Sequence, residues 1–294
     1  MKLIKHCLLA LIVILAGSFA NAQMSNNAGA LNPELQNTQN PPRGGGLISK
    51  MRIGLSAGIA NYYGDLTQNF SIYNQSSFAS GLGFSYRVFP HLNARVDLAC
   101  LKVRGNDGKN TRADLRARNL SFKTVIWDLS VAAEYEVLNI DNHKFTPYFF
   151  AGFGAFYFNP YANDRYGYKQ FLQPLGTEGQ GLTAYPDRHK YKRVEFEIPL
   201  GGGVKWAVNK RLTIQAEYSF RHTNTDYIDD VSRLSYPDKA LLDASNPRIA
   251  KLTWRGDEVG GQAYPTNPGL NRGNPKKNDV FYSTQLKFVY KLTR

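Results

Sequence analysis

Eight stretches of this chain alternate apolar and polar residues with period two, and none gives way to a convincing 3.6-residue period. Successive side chains of a strand point to opposite faces, so each stretch describes a strand with one apolar and one polar side. The first sets Ile53, Leu55, Ala57 and Ile59 against Arg52, Gly54, Ser56 and Gly58. The second and third place Leu82, Phe84, Tyr86 and then Val96, Leu98, Cys100 on the apolar side. The fourth alternates Trp127, Leu129, Val131 and Tyr135 with Asp128, Ser130, Glu134 and Glu136. The fifth, near residues 148–158, is apolar on both faces, with Gly152 and Gly154 leaving room on one of them. The sixth, seventh and eighth run over residues 193–208, 212–221 and 280–292 with the same alternation.

Alternation also suits a soluble sandwich with one wet face, so the connections decide. Long links (residues 61–76, 104–119, 159–192 and 222–278) alternate strictly with tight ones at Pro90 to Asn93, Asn139 to Phe145 and Asn209-Lys210. A sandwich has no reason to gather every long loop at one end. An outer-membrane barrel does so, with short periplasmic turns and long extracellular loops. The sequence therefore predicts an all-β fold, an eight-stranded antiparallel transmembrane β-barrel with both chain ends periplasmic. The mean hydropathy of −0.40 then reflects polar loops.

Charge placement agrees. On the apolar side, the only ionisable residue within a run is Lys102, at a loop end where its stem can snorkel. The polar side holds Arg87, Arg95, Asp97, Asp128, Glu134, Glu136, Arg193, Glu195, Glu197, Lys205, Glu217, Arg221, Lys287 and Lys291. A basic residue facing lipid at mid-depth costs about 2 to 4 kcal/mol, so a bilayer enforces this segregation. An eight-stranded interior is only wide enough for side chains, so seven acids and seven bases should pair there and fill it. That speaks against a diffusion pore.

Residues 1–22 read as a signal peptide: Lys2 and Lys5, an apolar core over residues 8–19 too short to span a bilayer, then Ala20-Asn21-Ala22 before the expected mature start at Gln23. Its removal takes Cys7 and two lysines, leaving Cys100 alone and lowering the formal charge of +13 by two. Residues 23–50, rich in Asn, Gln, Pro and Gly, read as a flexible periplasmic linker, and residues 51–294 as the barrel. An exported basic chain meets lipid or sugar phosphate or an acidic protein, so outer-membrane lipid and lipopolysaccharide are expected partners and nucleic acid is not.

The most suggestive chemistry follows the seventh strand, where His222 precedes Asp226, Asp229 and Asp230. A histidine beside carboxylates could deprotonate water in a rim enzyme, and the acids alone could hold Ca²⁺. The competing reading is that these acids cap turns and bind loop arginines, and no second motif converges on them. Gly201-Gly202-Gly203 lies inside a strand and reads as packing or a bend. The five histidines are scattered and no zinc spacing occurs, so no cofactor or metal is expected and the chain reads as non-enzymatic. The basic residues between Arg104 and Arg118 could touch lipopolysaccharide phosphates or simply be solvated.

Several segments together resemble the PorG-like outer-membrane proteins of Bacteroidota: Asn61-Tyr62-Tyr63-Gly64-Asp65-Leu66, Arg104-Gly105-Asn106-Asp107, Asn119-Leu120-Ser121-Phe122, the glycine-rich run from Leu172 to Leu182, Phe196 to Gly203, and Thr225 to Ser232. The resemblance runs from about residue 51 to the end of the chain. It implies a part in the type IX secretion system, anchoring to the outer membrane a periplasmic ring built from PorK-like lipoprotein and PorN-like protein. Docking residues are then expected in the periplasmic turns: His91, Asn93, Asp141, Asn142, His143, Lys144, Asn209 and Lys210. His222, Asp226, Asp229 and Asp230 remain functional-loop candidates. The alternative is a surface barrel with a rim active site or a ligand-binding, adhesive surface.

Overall fold

The computed structural model describes residues 47–67, 75–266 and 271–292. The signal peptide and linker residues 23–46 lie outside the described residues, and Leu47–Lys50 form a single 3₁₀ turn before the first strand. Eight long strands form the wall: β1 (Met51–Tyr63), β2 (Ser77–Phe89), β3 (Leu92–Asn106), β4 (Ser121–Glu136), β5 (Phe145–Tyr157), β8 (Val194–Ala207), β9 (Leu212–Thr223) and β10 (Val280–Lys291). Each pairs antiparallel with its neighbour in that order, and β1 pairs with β10 through Leu55 opposite Phe288, which closes the barrel. The short hairpin β6–β7 (Tyr161–Asn163 and Lys169–Phe171) joins the loop end of β4 through Tyr161 opposite Lys123. Opposite Gly152 and Phe153 the β5–β8 ladder lapses at Ile198 and Pro199, where proline offers no N–H to donate.

The alternation sorts side chains as the sequence requires. Leu55, Phe84, Leu98, Trp127, Leu129, Phe149 and Phe288 are exposed around the outside. That continuous apolar girdle is far larger than a water-facing surface sustains and needs hydrocarbon around it. Among the described residues no helix is long and apolar enough to cross a membrane, so the strands do the crossing. β3 and β4 extend past their apolar runs at the loop end, so Arg104 and Lys123 join Lys102 on the outside, in register opposite one another.

The inside has two zones. Towards the short turns it is ionic. Arg95 reaches Asp97 at 2.6 Å, Glu217 at 2.7 Å and Glu134 at 3.1 Å, while Lys287 bridges Glu217 and Asp97 at 2.8 and 3.2 Å. Lys205 holds Glu134 and Glu136, Arg87 holds Glu136 at 2.7 Å, and Arg221 holds Asp128 at 2.7 Å. Two cavities among these groups measure about 30 and 10 Å³, room for a water or two. Three residues expected in this network stand outside it. Arg193 is exposed just before β8, with its guanidinium 3.5 Å from the Tyr157 hydroxyl; Glu195 forms no ion pair among the described residues; Lys291 turns to Asp141 at the short-turn mouth. Both Arg193 and Glu195 lie at the loop end of β8, beyond the ionic zone. Towards the loops the interior becomes apolar, with Leu101, Phe122, Ile126, Phe156 and Phe281 packed together.

Candidate functional site

Each end of the barrel carries candidate residues. At the short-turn end, asparagine side chains fold the turns: Asn139 Oδ1 accepts the Asp141 N–H at 3.0 Å, and Asn209 Oδ1 accepts the N–H groups of Arg211 and Leu212, both at 2.8 Å. These are turns in which a short side chain substitutes for backbone acceptors. They bring Asp141, Asn142, His143 and Lys144 together with Asn209 and Lys210 around one pocket of about 390 Å³, completed by Arg52, Arg211 and Lys291. Its one acid, Asp141, already accepts from Arg52 at 3.1 Å and Lys291 at 2.9 Å. Burial pushes that carboxyl up, but the Lys291 hydrogen bond and the Arg52 and Arg87 charges outweigh it and hold it below the usual carboxylate range. Lys144 and Lys210 are exposed and have no acid to pair with among the described residues. The mouth thus presents a surplus of cations.

Two expected docking residues sit elsewhere. His91 is exposed on its own turn, its Nδ1 2.9 Å from the Glu136 carbonyl and its ring stacked on Tyr135, and does not line the pocket. Asn93 is only 2% exposed: β3 begins at Leu92, so Asn93 already points inward and donates to Glu134 and Glu136 at 3.0 and 2.9 Å. It belongs to the lumen network and, contrary to the expectation from the turn, offers a partner no accessible surface. Arg52 and Lys291 belong to strand ends distant in sequence from the turns they join, which hid them from a sequence reading, whereas Arg211 directly follows Lys210 in the same turn and was passed over.

At the other end the long loops fold into a cap. Phe158 stacks on Tyr191 and Tyr191 on Tyr227, with centroids 6.0 and 4.6 Å apart, above the packed interior of Tyr62, Phe122, Phe156 and Phe281. Short helices support it: Ala113–Arg118, Leu172–Leu175, Lys239–Ser245 and Pro247–Thr253. The last two start on side-chain caps, Asp238 accepting the Ala240 N–H and Asn246 that of Arg248.

The cap core is polar at its centre, and Arg272 is its hub. That residue is fully buried, with Nε 3.3 Å from Glu178 and Nη2 donating to the Thr177 hydroxyl at 2.9 Å and the Asp230 carbonyl at 3.2 Å. Asp230 also accepts from Thr177 and, at 2.7 Å, from Tyr191. Glu178 takes the N–H groups of Ser232 and Arg233, both at 2.9 Å, and Arg118 is buried against Asp107 at 2.6 Å. Burial pushes the Asp230 carboxyl up to about 7, even with Arg272, Thr177 and Tyr191 holding its charged form.

A second cluster of carboxyl groups lies alongside. The Tyr62 hydroxyl is 2.6 Å from Asp229 and 2.8 Å from Asp279. A phenol donates one proton, so both contacts are hydrogen bonds only if one carboxyl is protonated and donates back. Burial and neighbouring charges agree, raising Asp229, through burial and Asp65, and Asp279, through burial, Asp229 and Asp226. Asp226 is pushed up to about 9 by burial and then by Asp229 and Asp65, and its Oδ2 has no hydrogen-bond partner among the described residues.

His222 does not join these acids. It is exposed on the outward side of β9, opposite Val280 and Ile198, while the three aspartates are buried within the cap. Adjacent residues of a strand face opposite ways, so closeness in sequence did not become a dyad. Among the described residues no group of three or more His, Cys, Asp or Glu side chains could hold a metal ion. The reading of these acids as partners for loop arginines holds for Asp230 with Arg272, whereas Asp226 and Asp229 face other carboxyls. The basic loop over residues 104–118 is also largely occupied internally: Arg104 donates to the Ser76 carbonyl at 3.0 Å, Arg116 to those of Asn110 and Thr111, and Arg112 pairs with Asp114. Three of the segments that carry the resemblance, Asn61 to Leu66, Leu172 to Leu182 and Thr225 to Ser232, pack together here through Tyr62, Leu66, Leu172, Ile228 and Val231.

Residues 12–237 match the family model described as outer membrane protein beta-barrel domain. No curated protein matches the sequence. Solved structures similar to the chain include Neisserial surface protein A, at 12% identity over 83% of this chain and 97% of that one with a TM-score of 0.42. The outer membrane enzyme PagL is similar at 13% identity, covering 80% and 97% of the two chains with a TM-score of 0.34. A major outer membrane protein from Thermus thermophilus is similar at 11% identity, covering 82% and 98%, with a TM-score of 0.35.

Proposed function

We propose that this chain, which belongs to the outer membrane protein beta-barrel family and so resides in the outer membrane, is a non-enzymatic component of the type IX secretion system that anchors the periplasmic ring to that membrane. The observation that carries the reading is the short-turn mouth, where two turns converge on a pocket of about 390 Å³ with Arg52, Lys144, Lys210, Arg211 and Lys291 against Asp141 alone. On this reading the mouth faces the periplasm and the cap the exterior, as in barrels with short periplasmic turns. A lumen filled by paired side chains cross-links the wall into a stiff platform. The surplus cations suit an acidic face of a PorK- or PorN-like partner. The resemblance of several segments to PorG-like proteins supports the reading of this machine in particular.

The test is a pull-down through a tag at the C-terminus from detergent-solubilised membranes. Recovery of the periplasmic ring proteins is the expected result. Their absence, with protein secretion intact in a deletion strain, would end the proposal. For the rim-enzyme alternative, His222→Ala should leave every activity of the protein unchanged, since that ring stands apart from the acids.

A further inference from the structure

The cap carries a cleft that its packing does not explain. It lies between the β6–β7 hairpin and the helix Pro247–Thr253, encloses about 570 Å³, and is lined by Tyr166, Tyr168, Arg165, Arg248 and Lys251 among others. A volume of this size is typical of small-ligand sites. Tyr166 and Tyr168 are 76% and 70% exposed, the most exposed large hydrophobic residues described in the chain, and they belong to the cap and not to the apolar girdle.

Their exposure is built in. Asp164 pins the turn, its Oδ1 accepting the N–H groups of Tyr166 and Tyr168 at 3.0 and 2.9 Å and its Oδ2 the Gln170 amide at 3.1 Å. The Gly167 N–H closes the turn onto the Asp164 carbonyl at 2.9 Å, and Gly167 sits at φ +86°, which side-chain-bearing residues rarely adopt. Two aromatic rings are thus held out into solvent by a rigid turn.

The charges around them are unevenly answered. Arg165 pairs with Asp257 at 2.9 Å, and Glu258 is held by Arg255 at 2.9 Å. Arg248 and Lys251, three residues apart on the exposed side of their helix, form no ion pair among the described residues. Two acids line the same cleft, Asp164, which spends its oxygens on the turn's N–H groups and the Gln170 amide, and Glu258, so Arg165, Arg248 and Lys251 outnumber them.

We propose that this cleft binds an anionic saccharide, a sugar chain bearing sulfate, phosphate or carboxylate groups. The tyrosine rings offer flat apolar faces with polar tips, matching a pyranose with its C–H face and hydroxyl rim. Arg248 supplies a planar fork for an oxyanion and Lys251 a mobile point charge beside it. An acidic peptide fits less well. The free strand edge, β7, is three residues long, and its Lys169 ammonium lies over the Tyr161 and Phe171 rings at 3.9 and 4.5 Å. That leaves little edge for strand addition.

The experiment uses the mature protein in phosphatidylcholine nanodiscs, titrated by calorimetry with a chondroitin sulfate hexasaccharide, with neutral maltohexaose and with a hexaglutamate peptide. The sulfated sugar should bind at least about tenfold more tightly than either of the others, a difference of about 1.4 kcal/mol. Its affinity should fall about tenfold in Arg248→Gln/Lys251→Gln and about fivefold in Tyr166→Ala/Tyr168→Ala. Lys276→Gln/Lys277→Gln, which removes equal charge elsewhere on the cap, should change it less than about twofold. Unchanged binding in either cleft variant would overturn the proposal, as would an equal loss in the Lys276/Lys277 control or equal binding of hexaglutamate. Lipopolysaccharide added to the disc separates the sources: displacement of the hexasaccharide supports a membrane-anchored saccharide, and its retention supports a soluble one. All these variants are on the surface, and heat-modifiable gel mobility confirms that each barrel is closed.

Discussion

Asp226 is where the cap should register pH most directly. The residue is 8% exposed, and its carboxyl is pushed up to about 9, first by burial and then by the charges of Asp229 and Asp65. A carboxyl in an unfolded chain titrates near about 3.9, so between the two values the folded cap holds a proton that the opened cap has lost. A group with a raised folded pKa stabilises the fold fully below the unfolded value, and that contribution drains away as pH rises towards the folded one. The slope is about 1.4 kcal/mol per pH unit, or about 2 kcal/mol between pH 7 and 9 once half-titration at the upper limit is counted. Asp226→Asn holds the neutral shape at every pH and should lose this slope. Hydrogen exchange of cap peptides from residues 225–236 and 271–279, corrected for the intrinsic rise of exchange with pH, reads the difference. Wild-type protection should fall about 30-fold more than that of Asp226→Asn across pH 7 to 9. Parallel loss in the two proteins would refute the assignment of that proton to Asp226.

Three other perturbations probe the remaining parts. Arg272→Met leaves Glu178 and Asp230 buried without their cation, a loss of about 3 to 5 kcal/mol; proteinase K should then cut the cap while heat-modifiable mobility of the barrel persists. Arg95→Met leaves Asp97 and Glu217 to share Lys287 and Glu134 to rely on Lys205, and should cost less than the Arg272 change, about 1 to 3 kcal/mol, read as a lower urea midpoint for loss of the closed barrel. Lys144→Glu/Lys210→Glu should lower ring-protein recovery about tenfold with barrel insertion normal, whereas Asn93→Ala should leave recovery unchanged and cost about 1 to 3 kcal/mol of barrel stability.

The barrel was legible because a lipid-facing wall imposes one rule on every strand, and sequence parity alone then tells Leu129 from Asp128. Parity also explains the two misplacements. Asn93 looked like a turn residue because Pro90 marks the bend, but β3 starts at Leu92 and parity sends Asn93 inward. His222 looked like a neighbour of Asp226, but it is still in β9 and faces out. The cap was hidden for a different reason. Its helices are four to seven residues long, below the length at which a 3.6-residue period can be recognised. Its central contacts also join distant segments, Thr177 with Arg272 across 95 positions and Tyr62 with Asp279 across 217. No local pattern encodes such pairs. The acids near Asp230 announced themselves, but the arginine that answers them did not.

The two ends of the barrel solve the same electrostatic problem in opposite ways, and the contrast favours an anchor over a channel. In the cap, Arg118 and Arg272 are buried against acids, and the surplus acids relieve their repulsion by binding protons. In the lumen, bases and acids are locked in pairs, so an ion could cross only by displacing one of them. Replacing such pairs by apolar residues is often neutral or stabilising, so their presence is poor evidence of selection for stability alone. What they do accomplish is to fix the wall from inside, strand to strand, as Arg95 does in linking β3, β4 and β9. The short-turn mouth is the exception, because Lys144 and Lys210 are left without acids among the described residues although Asp141 shows that an acid can be accommodated there. An isolated barrel gains nothing from cations held apart from counter-charge, and their mutual repulsion costs it stability. A partner bringing acidic groups turns that cost into attraction, strongest at low ionic strength and screened within about 8 Å at physiological salt. On the proposed anchoring role, the stiffness of the wall would transmit load to the membrane and the unanswered charge at its mouth would select what is attached.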